Sequence, residues 1–354
     1  MNNIFKSVTV ASIAAVFIFS AFGFAVNIDD AYADSITVTD STGYTLTLDA
    51  PAEKVATLGY GFTKTVVELG GKDMIVAYDS YSDDFAKESG IEAVNAGSSY
   101  STNKDYIYST MVQVEQSGKF NLDTDVIIIN DYSGTIAAGG TREMLEADGF
   151  KVLCFGAYTY NEVLDIVENI AILIGKESAE ALEKMYDAFD LATDRAGEID
   201  DENKVNAMYV NEYQGKLRVY NKGIAVSMIE LAGGNNIGYN SNVSANYYEA
   251  EASLILQLNP DVIFLDGNYP MSEKEFQKNV LRTASIVVIK MDADWNNYCP
   301  SAAEGLTVVS DAMIEEYDHT QSVMDIFYIN SEKILTAGAM FIIVLIGLFV
   351  MRKP

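Results

Sequence analysis

Short apolar runs alternate with helix-type patterns along most of this chain. In the first half, runs rich in β-branched residues predict four strands, at Lys54–Leu58, Met74–Tyr78, Val126–Asn130 and Lys151–Phe155. Apolar residues at helical spacing lie between them, at Phe62–Leu69, Lys104–Gln116 and Arg142–Ala147. Strands that alternate with helices at this spacing predict βαβ units and a parallel sheet.

The second half repeats the alternation after a long helical pattern without proline. That pattern covers Asn161–Ile174 and Ser178–Glu198. Beyond it we predict strands near Val205–Val210, Val262–Leu265 and Ile286–Ile289, and helices near Ala225–Leu231, Ala252–Leu258 and Lys274–Val280. Ahead of the first half, apolar and polar residues alternate around Gly43, which predicts a short hairpin.

A short internal repeat links the two halves. The segment Leu122-x-x-Asp125-Val126-Ile127 recurs 136 residues later as Leu258-x-x-Asp261-Val262-Ile263. In both places a helix leads through an acidic turn into a buried strand. The repeat favours two similar α/β lobes, at residues 34–158 and 201–320, joined by linker helices at 159–200.

Both ends of the chain have patterns typical of membrane-associated segments. Lys6 precedes an apolar run and a small-residue cleavage pattern, so residues 1–33 predict an export signal peptide, with an uncleaved anchor as the alternative. Residues 334–351 carry no charge and would span about 27 Å as a helix, enough to cross a bilayer. Two basic residues follow and predict a cytoplasmic tail at 352–354. Residues 321–333 are then a stalk, and the bulk of the chain is extracellular.

The charge balance and the scarcity of histidine exclude several functions. There are 51 acidic against 23 basic residues, a net charge of −28, which opposes binding to nucleic acid. His319 is the only histidine, so a histidine-rich metal site cannot form and a Ser-His-Asp triad has one candidate base. We interpret the acidic pairs Asp123/Asp125 and Asp292/Asp294 as solvated turns rather than catalytic or calcium sites. These features favour a binding protein over an enzyme.

Several short motifs occur in a fixed order between residue 36 and about residue 310. They are Val38-Thr39-Asp40-x-x-Gly43, Pro51, Val55, Glu68-Leu69-Gly70, Asp73-Met74-Ile75-Val76-Ala77, Ile174-Gly175-Lys176-Glu177, Glu230-Leu231-Ala232-Gly233-Gly234-Asn235-Asn236 and Leu258-Asn259-Pro260-Asp261-Val262-Ile263. In this order and spacing the chain resembles the solute-binding proteins of ABC importers that carry metal chelates, namely ferric siderophores, haem and cobalamin. The resemblance implies two Rossmann-like lobes bridged by one long α-helix, with the chelate bound between them. It also implies an ABC permease and its ATPase as partners, and no cofactor apart from the metal of the transported chelate.

Aromatic and amide residues collect after the predicted strands, at the ends where open α/β sheets bind ligands. Aromatic faces with a few hydrogen-bonding groups suit a bulky, flat or greasy chelate. The candidate ligand-binding residues are Tyr60, Tyr78, Tyr81, Tyr132, Tyr158, Tyr213, Asn268, Tyr269 and Trp295. The alternative is that these tyrosines are ordinary exposed loop residues.

The resemblance further implies a surface carboxylate on each lobe that contacts arginines of the permease. In the second lobe the family position falls at Ser253, so Glu251, with Glu249 in reserve, is the nearest candidate. Asp105 is the candidate in the first lobe. The alternative is that these carboxylates only stabilise helix starts.

Together these observations predict a membrane-tethered, extracellular substrate-binding component of an ABC importer. A surface adhesin or structural protein is the alternative. Cys154 lies inside an apolar run and is predicted to be in the core, while a bridge between it and Cys299 is left open by the sequence.

Overall fold

The computed structural model describes residues 35–98, 104–130, 140–177 and 179–322. None of the helices within these ranges is both long enough and apolar enough to span a bilayer. The predicted signal peptide (1–33), transmembrane helix (334–351) and tail, with nearly all of the stalk, lie outside the described residues and stay predictions.

A hairpin and a five-stranded parallel sheet form the first half of the chain. The hairpin strands β1 (Ile36–Thr39) and β2 (Thr45–Leu48) pair antiparallel, as predicted. The sheet has the order β5-β4-β3-β6-β7 and all its pairings are parallel. Its strands are β3 (Val55–Leu58), β4 (Ile75–Tyr78), β5 (Val94–Asn95), β6 (Val126–Asn130) and β7 (Lys151–Phe155). The predicted parallel α/β class is therefore confirmed.

Helices cover both faces of this sheet, because successive residues of a strand point to opposite sides. Along β6, Val126 and Ile128 join one apolar cluster and Ile127 and Ile129 join another. The flanking helices are α1 (Tyr60–Glu68), α2 (Asp83–Ser89), α3 (Lys104–Gln116) and α4 (Thr141–Ala147). The prediction missed α2, since this short helix has a single buried residue, Ala86, and no apolar periodicity.

Two helices make up the linker, which corrects the prediction of one long helix. They are α5 (Tyr160–Leu173) and α6 (Glu180–Ala196). Gly175 has a φ of 64°, in the left-handed region, and Lys176 donates its N–H to the carbonyl of Ala171 at 2.7 Å. A left-handed glycine with this backbone bond ends a helix and turns the chain away from its axis. A stretch without proline is thus not enough to predict a continuous helix.

The second half contains a mixed sheet with the order β11-β9-β8-β12-β13, and β10 pairs with the start of β8. Its strands are β8 (Asn206–Tyr213), β9 (Lys216–Tyr220), β10 (Asn235–Asn236), β11 (Tyr247–Ala250), β12 (Val262–Leu265) and β13 (Val287–Lys290). The parallel set of β8, β12 and β13 agrees with the prediction. Antiparallel β9 and β11 were missed because they are short and polar. The helices are α7 (Ile224–Leu231), α8 (Ala252–Leu258) and α9 (Glu273–Phe276).

A final helix, α10 at 302–322, was not predicted. Its residues Leu306, Val309 and Met313 are buried in an apolar cluster, so it belongs to the folded core. It includes residues 321 and 322, where the stalk was predicted to begin. His319 lies on this helix and is exposed. We refer below to the β3–β7 sheet with its helices as the first lobe, and to the β8–β13 sheet with α7–α10 as the second lobe.

The internal repeat places two aspartates at equivalent points of the two sheets. Asp125 accepts a hydrogen bond of 3.0 Å from the N–H of Lys54, one residue before β3. Asp261 accepts one of 2.9 Å from the N–H of Asn206, the first residue of β8. Each carboxylate thus ties the start of its own strand to the start of the parallel neighbour. Asp125 is 2% exposed, which corrects its interpretation as part of a solvated turn.

Candidate ligand-binding cleft

One side of α1 packs against the segment 294–301 and joins the two lobes. Thr65 donates a hydrogen bond of 2.6 Å to the carbonyl of Tyr298. Ser301 donates one of 2.7 Å from its hydroxyl to Glu68. Positions 60, 64, 65 and 68 share one face of a helix, so a single helix face makes this contact.

Gly61 permits the close approach of the lobes. A Cβ atom at this position would lie 2.6 Å from Oδ1 of Asn297 and 3.0 Å from the backbone nitrogen of Tyr298. Both distances are shorter than ordinary contacts, so any side chain here would push α1 away from the second lobe. Interlobe packing therefore explains the glycine that follows Tyr60.

A cavity of about 640 Å³ lies beside this contact, within the range of about 300–1,000 Å³ common for small-molecule sites. We call it the interlobe cavity, and its lining residues are Tyr60, Tyr81, Asn268, Ala293, Asp294 and Asn297. A smaller cavity of about 220 Å³ shares Asn297 and is lined on the second lobe by Tyr209, Tyr220 and Asn296. The two cavities bring aromatic, amide and carboxylate groups together between the lobes.

A small charged network closes one end of the interlobe cavity. Asp294 accepts hydrogen bonds from the hydroxyl of Tyr60, at 2.7 Å, and from Lys64, whose ammonium also lies 3.5 Å from Glu68. Burial and the hydrogen bond to Asp294 raise the pKa of Tyr60, so the phenol stays neutral. Burial alone would lower the pKa of Lys64, but the hydrogen bond to Asp294 and the charge of Glu68 outweigh it and raise that pKa. Lys64 is thus a cation between two carboxylates.

Three predicted ligand-binding residues, Tyr60, Tyr81 and Asn268, meet in the interlobe cavity. Tyr60 and Tyr81 come from the first lobe and Asn268 from the second, so the fold unites residues about 200 positions apart in sequence. Tyr81 is 58% exposed.

Two further candidates, Tyr158 and Tyr213, line neither of these two cavities. The ring centre of Tyr158 is 4.8 Å from Nζ of Lys222, a residue of the second lobe. Tyr213 is 52% exposed and its ring stacks on the guanidinium of Arg218. Tyr132 lies outside the described residues.

Three other candidates belong to the core or to a helix contact, which corrects their predicted role. Tyr78 is 7% exposed in β4. Tyr269 is 4% exposed and packs edge-on against Phe276 at 5.2 Å, and burial with the charge of Glu212 raises its pKa to about 12. Trp295 donates its indole N–H to Glu304 at 3.4 Å and packs on α10. Position after a strand does not distinguish such residues from ligand-facing ones.

Asp294 and Asn297 line the cavity, which corrects the interpretation of Asp294 as part of a solvated turn and adds Asn297, which was not predicted. They belong to the polar run 292–297, which follows β13 at the carboxyl end of the parallel strands. In open α/β sheets ligands bind outside the carboxyl ends of the strands, and this loop lies at such an end. The amides and carboxylates of this loop could have identified it as ligand-facing, but the candidate was chosen for its aromatic ring and was therefore Trp295.

The predicted docking carboxylates lie on the surface of both lobes. Asp105 is exposed in the first turn of α3. Glu251 is exposed at the N-cap of α8, where its side chain makes no capping hydrogen bond. Glu249 forms an ion pair with Lys216 at 2.6 Å, so it is less available to a partner than Glu251.

The described part of the chain offers neither a metal cluster nor an interlobe disulfide. It contains no group of three or more His, Cys, Asp or Glu residues arranged to hold a metal ion. Cys154 and Cys299 are not joined in a disulfide, and both are buried, so Cys154 is confirmed as a core residue. Burial raises the pKa of the Cys299 thiol, so the thiol stays protonated.

The chain is similar to several known proteins in sequence or in fold. No family model matches the sequence. A cobalamin-binding protein of Halobacterium salinarum is 25% identical over 238 residues, covering 66% of this chain and 59% of that protein. The periplasmic catecholate-siderophore binding protein VctP of Vibrio cholerae has a TM-score of 0.60 at 15% identity, covering 79% of this chain and 100% of VctP. The periplasmic vitamin B12 binding protein BtuF of Vibrio cholerae has a TM-score of 0.53 at 17% identity, covering 75% of this chain and 98% of BtuF.

The chain has the fold of the metal-chelate solute-binding proteins. This finding confirms the resemblance that was drawn from the ordered motifs. The matched region of the curated cobalamin-binding relative is 59% of that protein's length.

Proposed function

We propose that this protein is the substrate-binding component of an ABC importer and that it captures a metal chelate between its lobes. The interlobe cavity carries this proposal, because Tyr60, Tyr81 and Asn268 meet Asp294 and Asn297 there. The rings supply flat apolar contact, and the amides and carboxylate supply hydrogen bonds that orient a ligand. The cobalamin-binding relative favours a cobamide; ferric siderophores and haem are the other chelates that the proposal includes.

Delivery to a permease and its ATPase, and a tethered extracellular position, are parts of the same proposal. They rest on the export pattern at 1–33 and the uncharged segment 334–351. A membrane anchor keeps a binding protein close to its permease where no outer membrane confines it. Cells that express a chain ending at residue 333 test this part, since the shortened protein should leave the membrane fraction.

Absorbance titration of the full chain in detergent tests chelate binding. Cyanocobalamin, haem and a ferric catecholate siderophore are the probes, and one of them should bind with saturation at one equivalent. Tyr81→Ala removes an exposed ring from the interlobe cavity and should weaken binding about tenfold. Tyr239→Ala is the matched control, because Tyr239 is 66% exposed and lies outside that cavity. Binding of none of the three probes would contradict the proposal and favour the adhesin alternative.

A further inference from the structure

A loop of the second lobe carries an Asn-x-Ser triplet. Asn242, Val243 and Ser244 lie in the segment 237–246, which joins β10 to β11. An asparagine followed at the second position by serine or threonine, with no proline between them, is the acceptor triplet of N-linked glycosylation. Such a triplet is modified at the amide nitrogen of the asparagine, so the accessibility of that amide is the property to establish.

A buried asparagine, Asn221, holds the backbone of this loop. Its Oδ1 accepts a hydrogen bond of 2.8 Å from the N–H of Asn240, and its Nδ2 donates to the carbonyls of Val243 and Ala245, each at 3.0 Å. Asn221 is 7% exposed, and a buried amide with these partners fixes the backbone that it contacts. The loop is therefore ordered by a residue outside the triplet.

The two side chains that N-glycosylation uses are exposed on a turn. Val243 donates its N–H to the carbonyl of Asn240 at 3.0 Å, which closes the turn. Asn242 and Ser244 are both exposed. Among the residues that the structure describes, neither side chain has a hydrogen-bond partner, since the one bond of Asn242 here comes from its backbone N–H. The amide nitrogen and the hydroxyl of the triplet are thus accessible to an enzyme.

Nearby asparagines use their side chains inside the fold. Asn221 makes the bonds given above, and Oδ1 of Asn240 accepts the N–H of Asn242 at 3.1 Å. Oδ1 of Asn236 accepts the N–H of Gly238, also at 3.1 Å. None of these three asparagines begins an acceptor triplet. The triplet therefore coincides with an asparagine whose amide the loop does not need.

We propose that Asn242 is an N-glycosylation site. The donor is an oligosaccharide linked to a polyprenyl phosphate or pyrophosphate, and the enzyme class is a membrane-bound oligosaccharyltransferase. Nδ2 of Asn242 forms a bond to the anomeric carbon of the first sugar, and the bond between that carbon and the phosphate oxygen breaks. The amide loses one proton, and the lipid phosphate or pyrophosphate leaves as the anion. The inference rests on the proposed function for one point, the exported position of the second lobe.

The site lies outside the cleft. Asn242 lines neither the interlobe cavity nor the smaller cavity. A sugar attached to an exposed turn extends into solvent, so we expect it to leave chelate affinity within about twofold of that of the unmodified chain. Chelate affinity therefore serves as a measure of correct folding in the variants below.

Mass spectrometry of the full chain purified from its native host tests the inference. Cleavage after glutamate releases Leu231–Glu249 as one peptide, which contains Asn242 and no second acceptor triplet. This peptide should be heavier by the mass of an oligosaccharide, with fragment ions that place the sugar on Asn242. Asn242→Gln should remove the added mass. An unmodified peptide from the unaltered protein overturns the inference.

Ser244→Ala and Ser241→Ala are the matched pair of variants. Each removes an exposed serine hydroxyl from the same loop, but only Ser244 belongs to the triplet. Ser244→Ala should abolish the added mass, whereas Ser244→Thr and Ser241→Ala should retain it. Added mass that persists in Ser244→Ala, or that is lost equally in both alanine variants, contradicts modification through the triplet.

The outcomes also separate this inference from the proposed function. An unmodified peptide from protein that is accessible at the cell surface and binds a chelate overturns the inference and leaves the function standing. A glycosylated peptide from protein that binds no chelate supports the inference and contradicts the function. Protein confined to the cytoplasm overturns the inference together with the exported position on which it rests.

Discussion

At the scale of single residues, the most informative contact is the one between Tyr60 and Asp294, which are 234 positions apart. A tyrosine chosen as a ligand-binding candidate also holds the lobes together. Its hydroxyl donates to the carboxylate at 2.7 Å, while its ring lines the interlobe cavity. Tyr60 therefore contributes both to the lining of the interlobe cavity and to the contact between the lobes.

Tyr60→Phe should lower the free energy of unfolding by about 1 kcal/mol near neutral pH, since the partly buried carboxylate of Asp294 loses a donor. Burial and Asp294 raise the pKa of Tyr60 above its ordinary 10.0. A group whose pKa is raised on folding contributes fully below the unfolded-state pKa, and its contribution is lost as pH rises through the folded-state pKa. The difference between the two proteins in urea unfolding should therefore be largest near about pH 8 and smaller above about pH 11.

Tyr239→Phe is the control for this experiment, because Tyr239 is 66% exposed. It should change the free energy of unfolding little at either pH. If the difference in unfolding free energy between the two proteins is the same at both pH values, ionisation of the Tyr60 phenol is not linked to folding.

At the scale of elements, the turn at Gly175 decides the shape of the linker. It ends α5 and lets α6 begin five residues later on another axis. Thr159 supports the opposite end of α5 with a reciprocal cap, in which its hydroxyl accepts from the N–H of Glu162 and the Glu162 side chain accepts from the N–H of Thr159. The helix is thus bounded by local signals at both ends.

Gly175→Ala should lower the free energy of unfolding by about 1–2 kcal/mol or more, because a left-handed conformation is unfavourable for alanine. The new Cβ would also lie 3.2 Å from Cγ of Pro51. Gly90→Ala is a close match, with a φ of 67° at the end of α2 and no atom within 4 Å of the added Cβ. Chemical denaturation of both variants should show a larger loss of unfolding free energy for Gly175→Ala. Equal losses would mean that Pro51 moves to accommodate the added Cβ without an energetic cost.

At the scale of the whole molecule, docking on a permease needs surfaces on both lobes. Asp105 and Glu251 are exposed at the starts of α3 and α8. Glu251 makes no capping hydrogen bond, which weakens the alternative that its carboxylate only caps a helix. The docking role itself stays a prediction.

Asp105→Ala combined with Glu251→Ala should abolish chelate uptake by cells and leave chelate affinity in titration nearly unchanged, since neither residue lines the interlobe cavity. A second double variant, Asp84→Ala with Glu180→Ala, is the control. These two residues are also carboxylates in the first turns of helices, α2 and α6, so the electrostatic effect on helix starts is matched. Normal uptake by the first variant, or equal loss in both, would contradict the docking assignment.

The sequence alone determined the class of fold, because apolar runs and helical periodicity are local properties. It predicted the limits of β6, β7, β12, α3 and α8 to the residue. It missed β9, which pairs with β8, and β11, which pairs with β9; both are stabilised by this pairing rather than by their own composition. The helical pattern was already divided at residues 175–177, where a glycine is a known stop signal, and the single long helix came from the family resemblance.

Only the tertiary structure decided which aromatic residues face the cleft. Tyr60 and Tyr269 both follow a strand, yet one lines the interlobe cavity and the other packs against Phe276 in the core. The partners of each ring come from distant segments, so no local pattern specifies its surroundings. The charges behave in the same way: the sequence shows the excess of carboxylates, but only the tertiary structure shows that Glu249, which lies opposite Arg218 across the strands, is paired with Lys216.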